Sequence, residues 1–597
     1  MPERLSRKRH GSRDLAMVRE RMVLLTVVGV FACVVLAGCR NGKWAWSKDK
    51  AGSAEAAELQ MPPHIDGTVA EYAAFAGGGD LPVRGFGVVV GLGTNGSSEV
   101  SPRLMKYLKQ YLARQRLGSS VYGTEPLTPT RFLQDPDTSA VEIYGSIPPG
   151  APKGTTFDVF VRTLPQSQTT SLDGGILMSA DLAVSRGPLT EPDAVLNVWA
   201  RAGGAIFLNP FIKSDSPAEL AQLRAGRVLG GGVVTRDRPV LLQLRRSDYQ
   251  QADLIQKRVN ERFSGRGRRK KVANAKNSSI VELNIPDEHR ADYEHFLKLV
   301  IHLPIQGAPG GWEARARRLI EAMDSPGALY DDLALVLEAM GRQMVPILRS
   351  AYTAENPYKA YFAARTGLRL GDHAATEIVV RFAKTANSPL QTLAIAELGR
   401  GKRTAAAVTT LHGLVDDDNE LVRLAAYEAL NELGDRTVIS RVRIPKQFTM
   451  DLVDSKRSYV IYATQTQQPR IVLFGKNMQV ARPVFFNARD DTVILNARKD
   501  DKELVVFRKI PRSGAYSDEF RIGFNVSLLV TTLGNLPEHD DDGQIKGLGL
   551  TYGQIVSAVS RMCEEGDIPS RFVLQEMPSV QKIYESATTV GRPDTPE

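Results

Sequence analysis

The sequence is poor in cysteine: Cys33, Cys39 and Cys563 are the three in 597 residues. Cys33 lies inside an apolar N-terminal segment and Cys39 at its end, so Cys563 stands alone in a processed chain. No intramolecular disulfide is expected there, and stability has to come from packing or assembly. Histidine is also scarce. None of the eight lies three or four residues from another, which removes the common helical metal-ligand spacings. The strings G-x-S-x-G, H-E-x-x-H and C-x-x-C are absent. Cys563 is followed by Glu564 and Glu565, neighbours that raise a thiol pKa rather than activate it. Carboxylate pairs abound, but nothing places two across a cleft. The reading is therefore not an enzyme, with no catalytic residue, no cofactor and no metal site. No apolar run reaches the ~20 residues of a membrane-spanning helix. With 43% hydrophobic and 24% charged residues, the chain is ordinary globular material, long enough for several domains.

The formal net charge of +9 is partly an N-terminal effect, because residues 1–22 hold seven Lys or Arg. An apolar run from Met22 to Leu36 follows, then Leu36-Ala37-Gly38-Cys39. Basic, apolar, then small residues is the pattern of an export signal. Leu-Ala-Gly-Cys resembles the bacterial lipobox, which implies cleavage before Cys39 and a lipid on its sulfur. Two or three acyl chains hold a protein on a bilayer far better than one. Arg40 rather than Asp follows the cysteine, which favours the outer membrane. Residues 39–63 are rich in Ala, Glu and Lys and read as a tether, with Trp44 and Trp46 at the lipid interface.

The stretch Leu81–Gly96, LPVRGFGVVVGLGTNG, is where the chain is most distinctive. Three successive valines flanked by glycines read as a buried strand that turns sharply at each end. Gly91, Gly93 and Gly96 fit G-x-G-x-x-G, the dinucleotide fingerprint, in which glycine backbone lies against a pyrophosphate at a helix N-terminus. Against that, the helix in MKYLKQYLARQ starts near Pro102, too late for Gly96 to sit in its first turn. No acidic residue closes a second strand, since SSVYGTEPLTP is loop-like. An exported chain is also far from nicotinamide pools. The same stretch resembles a strand near the mature N-terminus of the flagellar basal-body P-ring protein family. The segments FDVFVRTLPQSQTTSLDGGILMSADL, LRAGRVLGGGVVTRDRP, LLQLRRSDYQQADLIQKRVNERF and SSIVELNIP resemble that family in the same order. The resemblance runs from about His64 to Gln306. The family usually carries a cysteine pair and an ordinary signal, so the missing pair and the lipobox are departures.

Within this region TFDVFVRTL, ILMSADLAV and VLNVWAR read as strands. Pro239–Pro286 reads as strand–helix–strand, with Asp248 or Ser247 as helix cap and Ile255, Val259 and Phe263 on one face. The resemblance implies that such a compact α+β unit packs side by side in a ring. Arg266, Arg268, Arg269, Lys270 and Lys271 form a basic run, either a solvated hairpin tip or a polyanion contact. Nucleic acid is not expected, because no aromatic residues interleave these charges. From Pro326 the chain turns Ala- and Leu-rich. Pro326, Pro357, Pro389 and Glu420 each open an apolar helical stretch, at intervals of 31, 32 and 31 residues. LVRLAAYEALNELGD resembles a HEAT repeat, and a period of this size implies a helical solenoid. Its role is either a spacer or a protein-binding face. Beyond residue 440, RSYVIYATQ, PRIVLFG, DTVILNAR and ELVVFRK read as an antiparallel sheet. Asp540, Asp541 and Asp542 lack EF-hand spacing and read as a solvated turn. TYGQIVSAVSRMCEEGDIPSRFVLQ resembles the closing helix and short strand of the P-ring family.

The fold expected is α+β: a signal at 1–38, a tether at 39–63, P-ring-like units at 64–308, HEAT-like helices at 309–440 and a β-rich region with a terminal helix at 441–597. The resemblance implies a structural subunit of a homo-oligomeric ring around the flagellar distal rod in the periplasm, a bushing beside the L-ring subunits. Peptidoglycan is a candidate contact, and the lipid on Cys39 ties the chain to a membrane. A ring of identical copies needs a heterologous interface, for which the edge strands of the α+β units are natural candidates. The alternative is an outer-membrane-anchored periplasmic scaffold that uses the helical repeat to recruit partners.

Overall fold

The computed structural model describes residues 62–77, 79–117, 128–184, 197–212, 216–264, 271–307, 310–539 and 545–576. Its first layer of organisation is a closed barrel. Strands β2 (Leu81–Val90), β3 (Ser139–Ile147), β4 (Thr156–Thr163), β5 (Ile176–Val184), β6 (Val198–Ala205) and β7 (Ala225–Val234) close in the order β2-β3-β4-β7-β6-β5, every pair antiparallel. Irregular alternation in the sequence did not announce this closure. Inward residues such as Val83, Val141, Ile143, Val159, Leu177 and Ala200 fill the interior, so it is a packed core rather than a pore. Two glycines of the distinctive stretch lie inside β2, not at its ends. A Cβ on Gly85 would stand 2.4 Å from the Asp181 carbonyl oxygen, and one on Gly87 2.8 Å from Ile143. A barrel of only six strands leaves no room for larger residues there. Helix α1 (Pro102–Arg114) covers one side through Leu104, Leu108 and Leu112.

The strand–helix–strand unit forms beside the barrel. β1 (Ala73–Ala76), β8 (Val240–Leu244), β9 (Ala273–Ala275) and β10 (Ile280–Leu283) make an antiparallel sheet in the order β1-β8-β10-β9. Helix α2 (Tyr249–Phe263) packs Ile255, Val259 and Phe263 against it, and the Asp248 carboxylate caps it by accepting from the Gln250 and Gln251 amides. Helix α3 (Tyr293–Ile301) completes this core with Phe296 and Val300.

A helical stack follows: α4 (Gly311–Ala322), α5 (Tyr330–Met340), α6 (Val345–Arg349), α7 (Pro357–Arg369), α8 (His373–Lys384), α9 (Gln391–Arg400), α10 (Ala405–Leu414) and α11 (Glu420–Glu432). Helices α5, α7, α9 and α11 lie side by side in that order, and the others alternate with them. Pro326 and Pro389 sit in the turns ahead of α5 and α9 rather than at their first residues. Asn356, Asp372, Thr404 and Asn419 cap α7, α8, α10 and α11 with their side chains. Helix α5 is buried all round because two cores share it: Leu333 and Val336 face the stack, Leu335 and Ala339 the α+β sheet.

The C-terminal region contains two sheets. β11 (Ile439–Ile444), β12 (Phe448–Val453), β13 (Val460–Ala463), β14 (Arg470–Phe474) and, at the chain's end, β19 (Arg571–Leu574) form one in the order β11-β12-β14-β13-β19. This sheet is mixed, not antiparallel throughout. β12 runs parallel to β14 because the β13–β14 hairpin folds back to insert β14 beside it, and β19 returns parallel to β13. The second sheet, β15 (Val484–Asn487), β16 (Val493–Ala497), β17 (Leu504–Arg508) and β18 (Phe520–Ile522), is an antiparallel meander. Asp490 and Asp491 both have positive φ in the β15–β16 turn, the backbone that suits a tight hairpin. Helices α12 (Val526–Gly534) and α13 (Tyr552–Glu565) share one core with both sheets, and α13 is buried on nearly every side. The other face of the five-stranded sheet packs Val460, Tyr462 and Phe474 against the stack. The layers therefore run stack, five-stranded sheet, helices, four-stranded sheet. No described helix is long and apolar enough to cross a membrane.

Candidate functional site

The glycine loop after β2 holds a ligand of its own making. The Asp137 carboxylate accepts from the Gly93 amide at 2.7 Å and the Gly91 amide at 3.3 Å. The anion position that a pyrophosphate would take in a dinucleotide site is thus filled by a side chain from the same barrel. Gly91 and Gly93 adopt φ of +82° and +64° to turn the chain, and a Cβ on Gly93 would lie 2.4 Å from the Pro511 carbonyl oxygen. A Cβ on Gly96 would meet the Thr138 and Pro136 carbonyl oxygens at 2.3 and 2.4 Å. The glycines serve close approach of protein to protein. What approaches is the β17–β18 hairpin, whose Arg512 pairs with Asp135 at 2.7 Å.

Other barrel residues carry the rest of this joint. Asp158 accepts from the Gly230 amide at 2.6 Å and from the Gln467 amide at 2.8 Å, bridging β7 to the C-terminal sheet. Phe207 packs against Tyr552 with ring centroids 5.7 Å apart. Burial raises the Tyr552 pKa well above the phenol range, and its hydroxyl donates to the Thr464 and Arg470 carbonyls. No motif flagged this joint, because its partners are some 300 to 400 residues apart in sequence.

Strand edges are the second feature that bears on assembly. The barrel has none. The outer edge of β9 is capped by α2: Asn260 Oδ1 accepts from the Val272 and Ala273 amides, its Nδ2 donates to the Ala273 carbonyl at 2.8 Å, and Gln256 accepts from the Ala275 amide at 2.8 Å. Side-chain amides thus occupy the groups that another chain would need. The other edge strand of this sheet is β1.

The α+β unit and the stack meet through charge. Arg262 donates from Nε to the Ala339 carbonyl at 2.8 Å and from Nη2 to the Glu338 carbonyl at 3.2 Å, closing the C-terminus of α5. His295 lies 2.6 Å from Glu338, which neighbours Arg369. Arg369 then grips Glu397 with two bonds of 2.5 and 2.8 Å. The paired arginine holds the Glu397 carboxyl below its usual range despite burial. Four of the eight histidines, His64, His289, His295 and His302, gather where α3 and α5 meet. Their sequence positions gave no sign of this.

Cys39 and Arg266, Arg268, Arg269 and Lys270 lie outside the described residues, as do Asp540–Asp542. Lys271 is exposed beside β9. Cys563 is half-buried, and burial more than Glu564 pushes its thiol up to about 12. Among the described residues, no group of His, Cys, Asp and Glu could hold a metal ion.

The residues that build the barrel and the α+β sheet are those that match a known family. Residues 68–310 fit the model for the flagellar P-ring protein. Over these residues the chain is similar to the flagellar P-ring family. The flagellar P-ring protein of Sinorhizobium fredii (strain NBRC 101917 / NGR234) is 30% identical over 240 residues, 38% of this chain and 58% of that protein. That of Thermotoga maritima is 28% identical over 249 residues, 40% of this chain and 66% of that protein. That of Rhizobium johnstonii is 29% identical over 233 residues, or 36% and 56%. The chain spans somewhat over half the length of these relatives. The family match ends at Pro309-Gly310, where the first helix of the stack begins. The stack and the two C-terminal sheets lie beyond it.

Proposed function

We propose that this protein is a structural subunit of a periplasmic ring around the flagellar distal rod. The match of residues 68–310 to the P-ring family, over a barrel and a sheet that fold as one body, carries the reading. The self-filled glycine loop agrees with it, since the one motif that suggested an enzyme serves packing instead. In this reading the ring acts as a bushing and needs no chemistry. The lipid on Cys39 would add a membrane tether. The basic run Arg266–Lys271 would touch an anionic envelope polymer such as peptidoglycan. Rod and L-ring subunits would be the neighbours.

The test is to purify hook–basal bodies from the source cells, probe them for the chain by mass spectrometry and image the same particles. Enrichment together with a ring on the distal rod supports the reading. Intact basal bodies without the chain overturn it and leave an envelope scaffold built around the helical stack. Replacing Arg266, Arg268, Arg269, Lys270 and Lys271 with Ser should lower retention on isolated peptidoglycan several-fold; unchanged retention removes the polyanion contact.

A further inference from the structure

His64 is the first buried residue of the described chain. Pro62, Pro63 and Asp66 are exposed and Ile65 is half-buried, so one imidazole, 8% exposed, pins the point where the N-terminal residues enter the folded body. Among the described residues, the backbone of 62–65 bonds only within its own turn. The Ile65 and Asp66 amides donate to the Pro62 carbonyl, and Thr68 donates to the Ile65 carbonyl. Firm attachment begins at Gly67, whose carbonyl accepts from the Ile305 amide at 2.9 Å, and at Val69, whose amide donates to the Leu303 carbonyl at 3.0 Å.

The seam that receives His64 is built from two other segments. His302, at the C-terminal end of α3, is 6% exposed, and Asp332 stands in the first turn of α5. His302 Nδ1 lies 2.8 Å from the Lys298 carbonyl; a carbonyl only accepts, so Nδ1 carries a proton. Its Nε2 faces Asp332 Oδ1 at 3.5 Å and donates to it only when the ring holds a second proton. At His64, burial disfavours the imidazolium most, Asp332 favours it and His302 opposes it. The other charged groups of this region are engaged elsewhere. Arg315 of α4 donates to the Asp66 carbonyl, Glu71 accepts from the Gly67 amide at 2.6 Å, and Lys298 of α3 acts on Asp331. Two buried imidazoles therefore share one carboxylate, and a charge left without a partner in such a seam is costly.

We propose that His64 is a proton-released peg: on acidification its imidazole leaves the seam between α3 and α5, and residues 62–65 pass from the folded body to the N-terminal segment that precedes them. His302 keeps Asp332, because both of its nitrogens then meet acceptors. His64 leaves because nothing else on its short arm is fully buried. Burial holds its pKa below the ordinary imidazole value, so the seated peg is the neutral form. Seating is complete above about pH 6.5 and is lost as the pH falls from there toward the lowered native value. Release adds residues 62–65, roughly 14 Å at full extension, to the reach of the N-terminal segment. Where Cys39 carries a lipid, pH then sets how far the body stands from the membrane. The peg itself needs neither the ring nor the lipid, so it is decided apart from the function proposed above.

The test places a nitroxide spin label at exposed position 63, as Pro63→Cys in a full chain that also carries Cys33→Ser, Cys39→Ser and Cys563→Ser. The label should be largely immobile at pH 7.5, and its mobile fraction should rise roughly threefold or more by pH 5, with an unchanged circular dichroism spectrum. His64→Gln should abolish the rise. Two further variants should move it in opposite directions. Asp332→Asn removes the charge that favours a protonated His64 in the seam and should enlarge the rise. His302→Gln frees Asp332 for His64 and should shrink it. This opposition keeps the test valid if His64→Gln fails to fold. A mobile fraction that ignores pH, a rise that survives His64→Gln, or shifts of the same sign in the Asp332 and His302 variants overturns the peg. A rise in a chain that is absent from basal bodies supports the peg and sinks the rod-ring reading. A ring on the distal rod with no rise does the reverse.

Discussion

Gly93 and Asp137 show how much one contact holds. Gly93→Ala adds a Cβ at a φ of +64° and drives it into the Pro511 carbonyl. Strain and clash together should cost about 2–4 kcal/mol, read as a lower denaturation midpoint. Asp137→Ala strips two loop amides of their acceptor, and a loss of about 1–3 kcal/mol is expected. An unchanged midpoint in either variant would mean that the barrel does not depend on this joint. The histidines supply a pH prediction. Burial holds the pKa of His64 and His289 below the ordinary imidazole value, opposed in part by Asp332 at His64 and Glu288 at His289. The folded state therefore binds fewer protons than the unfolded chain. Stability is full above about pH 6.5 and falls as the pH drops from there toward the lowered native values. Carboxylates with depressed pKa, such as Asp372 and Asp451, act in a separate window below about pH 4. Melting curves from pH 7.5 to 5 should show the histidine effect. His64→Gln with His289→Gln should flatten it, and a slope that survives both changes assigns it elsewhere.

At the scale of elements, helix α7 shows a conflict between local pattern and packing. Its residues Ala360, Tyr361, Ala363, Ala364, Arg365 and Thr366 are buried on almost every side, so no clean amphipathic stripe exists to read. Burial includes charge, and the charge is paired across helices. Glu397→Ala leaves Arg369, with its side chain 18% exposed, without its main partner. A loss of about 3–5 kcal/mol is expected, whereas replacing the pair by apolar residues should cost much less. Equal effects in urea melts would refute the pairing argument. Helix α2 is the opposite case. Its cap at Asp248 and its apolar face were both legible, since cap chemistry and a 3.6-residue period are local properties. The capping of β9 by Asn260 and Gln256 was not, because a polar residue on a helix does not announce which strand edge it will meet.

For the whole molecule, α5 is the piece that joins the family-matched body to the stack. Leu335 and Ala339 belong to the α+β core although they lie beyond residue 310. A chain from which residues 311–436 are deleted should therefore fold poorly, with rapid proteolysis of the β8–β10 region. Restoring α4 and α5 alone should recover much of the protection. If the deleted chain is as resistant as the full one, the stack is a separable appendage. The joint between barrel and C-terminal sheets predicts the same interdependence at the other end, through Asp158, Arg512 and Tyr552.

The sequence by itself determined the strands β2, β4, β5 and β10, the helices α1, α2 and α13, the resemblance of residues 68–310 to the P-ring family and the change to helix after it. Each of these depends on neighbours in the chain or on an ordered series of segments. Tertiary structure decided the rest. Closure of six strands into a barrel, insertion of β14 between β12 and β13, and the sharing of α5 by two cores all join residues far apart, at a cost in loop entropy that no local pattern records. It also decided the role of the glycine loop. Gly91, Gly93 and Gly96 satisfy a phosphate-binding spacing, but a carboxylate 41 residues beyond Gly96 had to fold onto the Gly91 and Gly93 amides before the spacing had a meaning.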